Sequence, residues 1–87
     1  MTWLEINSRA INYNLRQFKK LIGNNTLLMP VIKSNAYGHG FFNIAQICND
    51  SSIVDRICVV NLDEALCLVN QKLTKKPIFI LSFFDNI

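Results

Sequence analysis

Cysteine is scarce in this chain and does not pair. There are three, Cys48, Cys58 and Cys67, an odd number with no Cys-x-x-Cys spacing. That pattern excludes a secreted disulfide framework and points to a reducing, intracellular setting. All three are expected as small apolar core residues. Histidine is scarcer still. His39 stands alone, with no second histidine, cysteine or carboxylate at metal-ligand spacing, which excludes a metal centre readable from sequence. Long apolar runs are missing too: "IFILSFF", residues 78–84, is far too short to span a bilayer. The opening "MTWLEINSRA" has no basic segment followed by an apolar core, so no signal peptide is expected. The chain reads as soluble and cytoplasmic, with no membrane partner.

Charge of one sign is also in short supply. The net charge is only +3, and the basic residues are scattered apart from Lys72, Lys75 and Lys76. Such a trio near a helix end answers the helix dipole, and no aromatic residues interleave with it as a base-stacking platform. Nucleic acid is therefore not an expected partner.

What is present is apolar residue in quantity, 51% of 87 residues, enough for at most one small domain of marginal stability. Ile11, Leu15, Phe18, Leu21 and Ile22 share one helical face within residues 8–22. Asn7 or Ser8 can cap that helix, and Gly23 ends it. "TLLMPVI", 26–32, predicts a strand, although Pro30 removes one ladder donor. Phe41, Ile44, Ala45 and Cys48 repeat at helical spacing. "ICVV", 57–60, predicts a second strand. Asn61 with Glu64 resembles a capping box opening a helix that buries Leu62, Ala65, Leu66 and Val69. "PIFIL", 77–81, predicts a third strand.

The expected order is therefore helix, then β-α-β-α-β. Apolar strands separated by helices imply parallel strands, in an open doubly wound sheet or part of a barrel. Three such strands would leave two open edges. "SFFDNI" follows a strand where a β/α fold would continue, so the chain is expected to be the beginning of a larger fold.

One stretch carries chemistry: "VIKSNAYGHG", residues 31–40. Lys33 falls at the C-terminal end of the first expected β/α strand, the end where parallel folds place active sites. Flanked by Val31 and Ile32 it is expected to be poorly solvated. Burial there favours the neutral amine, the form that attacks a carbonyl to give a Schiff base. The competing reading is a solvated lysine at a strand end. Gly38 and Gly40 let backbone approach a ligand, and the Tyr37 hydroxyl can donate to a phosphate oxygen. His39 reads as structural, since a catalytic role needs partners.

Taken together, the ten residues resemble the pyridoxal-phosphate attachment motif of the alanine racemase family: a hydrophobic pair, then Lys, a small residue, and Asn-Ala-Tyr-Gly-His-Gly. Ser34 stands where alanine is more usual. "WLEINSRAINYNL" is similar to the family's opening, and "VVNLDEALCLVNQKLTKKPIFIL" to its second strand, third helix and third strand. The resemblance covers essentially all of residues 1–87. One departure lies in the third helix, where the family usually carries an arginine and ends in Gly-Ile. Here Val69-Asn70-Gln71-Lys72-Leu73 stands instead.

The resemblance implies the N-terminal portion, about three β/α units, of a TIM-type (β/α)8 barrel, truncated, in an enzyme that works as a homodimer. It implies pyridoxal 5'-phosphate held by Lys33 as an internal aldimine and bound at its phosphate by Tyr37. Lys33 would also be one of two bases interconverting L-alanine and D-alanine for peptidoglycan. The opposing tyrosine and further cofactor contacts lie later in the family's sequence, and a whole barrel takes about 250 residues. This chain alone is thus expected to be inactive. The alternatives are a barrel protein that binds the cofactor without racemising and a non-catalytic remnant.

Overall fold

The computed structural model describes residues 3–33 and 39–81, with side chains from residue 8 onward and excluding that of His39. Helix α1 spans Trp3–Ile22, α2 His39–Asp50 and α3 Leu62–Asn70, with strands β1 at Ile57–Val59 and β2 at Ile78–Ile80. The two strands run parallel, Cys58 facing Phe79, with α3 as the crossover between them. This is the β/α arrangement that the apolar strands imply.

The segment 26–32 departs from expectation. It lies alongside β1 but touches it through one isolated parallel bridge, Val31 to Cys58, rather than as a strand. Two hydrogen bonds make that bridge: Ile32 N–H to the Cys58 carbonyl at 2.8 Å, and Cys58 N–H to the Pro30 carbonyl at 2.9 Å. The next rung toward the N-terminus would need an N–H on residue 30, and proline has none. Asp55 anchors the segment instead. Its carboxylate accepts from Leu28 N–H at 2.7 Å, and its own N–H donates to the Leu28 carbonyl at 2.9 Å.

Helices cover one face of this small sheet. Ile32, Ile57, Val59 and Ile78 pack with Leu15 of α1, Phe41, Ala45 and Cys48 of α2, and Ala65 and Leu68 of α3. Side chains alternate along extended chain, so Val31, Cys58 and Phe79 point to the other face. No described helix lies over it: Val31 and Phe79 are about half exposed, and only Cys58, between them, is buried. A doubly wound sheet would carry helices on both faces, so the one-sided cover matches a barrel segment.

Several expectations fail at the helix ends and faces. α1 begins at Trp3 rather than behind an Asn7 or Ser8 cap. Ser8 Oγ instead accepts from the Asn12 amide at 3.4 Å, one turn on. Gly23 does end the helix, at φ 78°. Phe18 and Leu21 are exposed, because only a narrow stripe of α1 meets the core. In α3 the buried apolar residues are Ala65 and Leu68, while Leu62, Leu66 and Val69 lie exposed on one flank. Cys67 is exposed too, unlike Cys48 and Cys58. The lysine trio lies beyond α3, where Lys76 Nζ donates to the carbonyls of Ser51 and Val54 just past α2.

The end of α3 carries a measurable strain. Leu73 N–H donates to the Leu68 carbonyl at 3.1 Å and Lys72 N–H to the Val69 carbonyl at 3.0 Å, a Schellman closure. Lys72 occupies its left-handed position at φ 54°. A residue with a Cβ costs roughly 1–2 kcal/mol there. Lys72→Gly is expected to stabilise the chain by about 1 kcal/mol, read as a higher urea midpoint at unchanged m-value.

Candidate active site at the strand ends

The C-terminal ends of the parallel elements bring together Lys33, the β1–α3 turn at Val60 and Asn61, and Leu81 after β2. Period-two alternation carries Lys33 onto the uncovered face with Val31 and Cys58. Its side chain is exposed. The expectation that burial desolvates the amine is therefore corrected: helices cover only the opposite face, and Val31 beside it is itself exposed. What the site presents is an accessible primary amine at the rim of an apolar sheet face.

Tyr37 and Gly38 fall outside the described residues. His39 is the first residue of α2, and Gly40 the second. Gly40 is the informative glycine. Its φ is not left-handed, and a Cβ built there would meet none of the described residues within 4 Å outside its chain neighbours and its own helix backbone. Neither backbone conformation nor packing among the described residues requires glycine at this place. Open space above bare backbone is what a ligand approaching closely would use. The first turn of α2 also lacks acidic residues, so nothing on it opposes an anion at its N–H end.

The rest of the rim is held by backbone contacts. Asn61 caps α3, its Oδ1 accepting from Glu64 N–H at 2.9 Å. Glu64 Oε1 accepts from Val60 N–H at 2.8 Å. The sequence shows Asn61 and Glu64 as a helix start, yet carries no sign that the carboxylate would reach back to Val60. Asp55 gives no sequence signal at all, since its role depends on a segment 27 positions earlier. Toward the opposite end of the uncovered face, the Arg56 guanidinium stacks over the Phe79 ring, 5.1 Å from its centre.

Other chemistry finds less support. Burial pushes the Cys48 thiol above its ordinary value, with Lys76 partly opposing, and burial likewise raises Cys58. Raised thiols are poor nucleophiles. Among the described residues no three His, Cys, Asp or Glu side chains are grouped to hold a metal ion. No described helix is long and apolar enough to cross a membrane. Shallow grooves along α1, lined by Asn12, Arg16 and Ile53 among others, do not include Lys33.

Residues 6–86 match the family model described as alanine racemase, N-terminal domain. An alanine racemase of Leptospira interrogans is 36% identical over 85 residues, covering 98% of this chain and 21% of that protein. One from Lactococcus lactis subsp. cremoris is 42% identical over 77 residues, covering 88% and 20%. One from Clostridium kluyveri is 42% identical over 90 residues, covering 98% and 22%. The chain thus spans about a fifth of the length of these relatives. No solved structure matches.

Proposed function

This chain belongs to the alanine racemase family through its N-terminal domain, and we propose that it supplies the cofactor lysine of a pyridoxal-phosphate-dependent racemase acting on alanine. One observation carries this reading: Lys33, first residue of Lys-Ser-Asn-Ala-Tyr-Gly-His-Gly, stands accessible at the C-terminal rim of a parallel sheet with helices on its other face. The 87 residues form the opening β/α units of a (β/α)8 barrel, whose active sites lie at that rim.

The residues fit the cofactor. Lys33 Nζ would hold it covalently, the Tyr37 hydroxyl would donate to its phosphate, and bare backbone at Gly40 would let that phosphate approach α2. When bound, pyridoxal phosphate supplies the electron sink that makes the substrate Cα proton removable. Lys33 takes or returns that proton on one face of Cα. A racemase needs a base on the other face as well, and no described residue is assigned to it. The working enzyme would be a homodimer, and its product would serve cell-wall synthesis.

The direct test is to supply pyridoxal phosphate and L-alanine to the polypeptide carrying this sequence within its barrel. D-alanine should form, dependent on cofactor and on Lys33. Cofactor binding at Lys33 without loss of optical activity would favour a non-racemising member of the same barrel class.

Gly40→Ala separates binding from folding. Alanine is the better helix former by up to about 1 kcal/mol, and its methyl meets none of the described residues outside its own helix. Thermal stability is expected to hold or rise. Cofactor affinity is expected to fall by roughly ten- to hundredfold, the worth of one hydrogen bond to a charged group. Equilibrium dialysis of the cofactor checks it, and unchanged affinity would remove Gly40 from the phosphate site.

A further inference from the structure

Hydrogen bonding along β1 is divided by parity. Ile57 and Val59 serve the β2 side: Ile57 N–H donates to the Pro77 carbonyl at 3.0 Å, and Leu81 N–H to the Val59 carbonyl at 2.8 Å. Cys58 serves the Lys33 side. The neighbours that would lengthen the Lys33 ladder are therefore Arg56 and Val60. Pro30 closes the first direction. In the second, Val60 N–H would donate to the Ile32 carbonyl and set Lys33 opposite Val60. That N–H is engaged elsewhere, by Glu64 Oε1 at 2.8 Å. A carboxylate is a stronger acceptor than a neutral carbonyl. The ladder stops one residue short of Lys33.

Helix capping does not account for this contact. In a capping box the third-position carboxylate returns to the N–H of the cap residue itself, which here is Asn61. Glu64 reaches one residue further back, onto the strand.

We propose that Glu64 is a positioning residue for Lys33. Its carboxylate withholds Val60 N–H from the sheet, so Lys33 leaves the ladder instead of being pinned as a strand residue beside Val60. The amine thereby keeps the freedom to reach both a cofactor and a substrate proton. This role rests on the assignment of Lys33 as the cofactor lysine.

Competitive labelling with an amine-acylating reagent, reading Lys33 against exposed Lys72 in the same molecule, tests it without cofactor. In Glu64→Ala the Val60 N–H passes to the Ile32 carbonyl, and the Lys33 ratio falls about three- to tenfold, the range of one ordinary hydrogen bond. Glu64→Gln keeps an accepting oxygen and restores the ratio. Asn61→Ala weakens the same helix start but keeps the carboxylate, and leaves the ratio at its wild-type value. An unchanged ratio in Glu64→Ala or an equal fall in Asn61→Ala overturns the proposal. A Lys33 that answers to Glu64 yet never takes pyridoxal phosphate would instead overturn the cofactor assignment alone.

Discussion

Borohydride reduction of the polypeptide in its barrel, with pyridoxal phosphate bound, is expected to leave the pyridoxyl group on Lys33. Peptide mapping should find it there in preference to Lys72, Lys75 or Lys76. Exposure does not make the distinction, since Lys72 and Lys75 are exposed as well. Placement does. Lys33 alone of the four stands at the strand-end rim, whereas Lys76 is tied to the Ser51 and Val54 carbonyls. Lys33→Ala removes the covalent anchor and a base together, so racemisation should fall to the level of free cofactor. The expected loss is several orders of magnitude, because covalent attachment and positioned proton transfer are separate contributions, the latter typically 10²–10⁴-fold. A label on Lys72 or Lys75, or turnover surviving in Lys33→Ala, would refute the assignment.

The exposure of Lys33 bears on how its reactivity arises. Sequence alone suggests desolvation between Val31 and Ile32. Only Ile32 is buried, because it points toward the helices, while Val31 and Lys33 point away. Among the described residues no apolar enclosure surrounds the amine. Any such enclosure must come from elements standing over the uncovered face.

Much of the architecture was legible because its signals are local. Gly23, the Asn61 cap and the helical spacing of Phe41, Ala45 and Cys48 each act within a turn or two, and each has its expected effect. The parallel pairing of β1 with β2 followed from apolar strands separated by a helix. What was not legible depends on distant partners. The segment 26–32 has strand composition, yet Pro30 on one side and Glu64 on the other limit it to a single bridge. Proline's missing donor can be read from sequence, but a carboxylate competing for Val60 cannot. The candidate site divides likewise. Lys33 and Gly40 stand out by motif, whereas Asp55 and Glu64 act through contacts that only the fold creates.

Leu68→Ala is expected to unfold a large part of the population, and Leu66→Ala to change little. The two leucines lie two positions apart on α3, and helical spacing from Leu62 favours Leu66 as the core residue. The structure reverses this. Leu68 is fully buried among residues of all three helices and β1, while Leu66 is 46% exposed. α3 crosses from β1 to β2, so the face it presents to the sheet is set by that crossing. The centre of its apolar arc accordingly falls on Ala65 and Leu68, leaving Leu62, Leu66 and Val69 on one flank. Truncating a buried leucine removes transfer energy and leaves a cavity, together about 2–5 kcal/mol. A chain of this length has a total of only about 4–13 kcal/mol at ordinary stability per residue. Leu68 also supplies the carbonyl that closes the Schellman turn, and Leu73 packs against the same cluster. Loss of packing there loosens the helix end as well. Urea unfolding followed by circular dichroism should show the Leu68→Ala midpoint collapse while Leu66→Ala stays within about 1 kcal/mol of wild type. Equal losses from the two would mean that α3 presents a different face to the sheet than the one described.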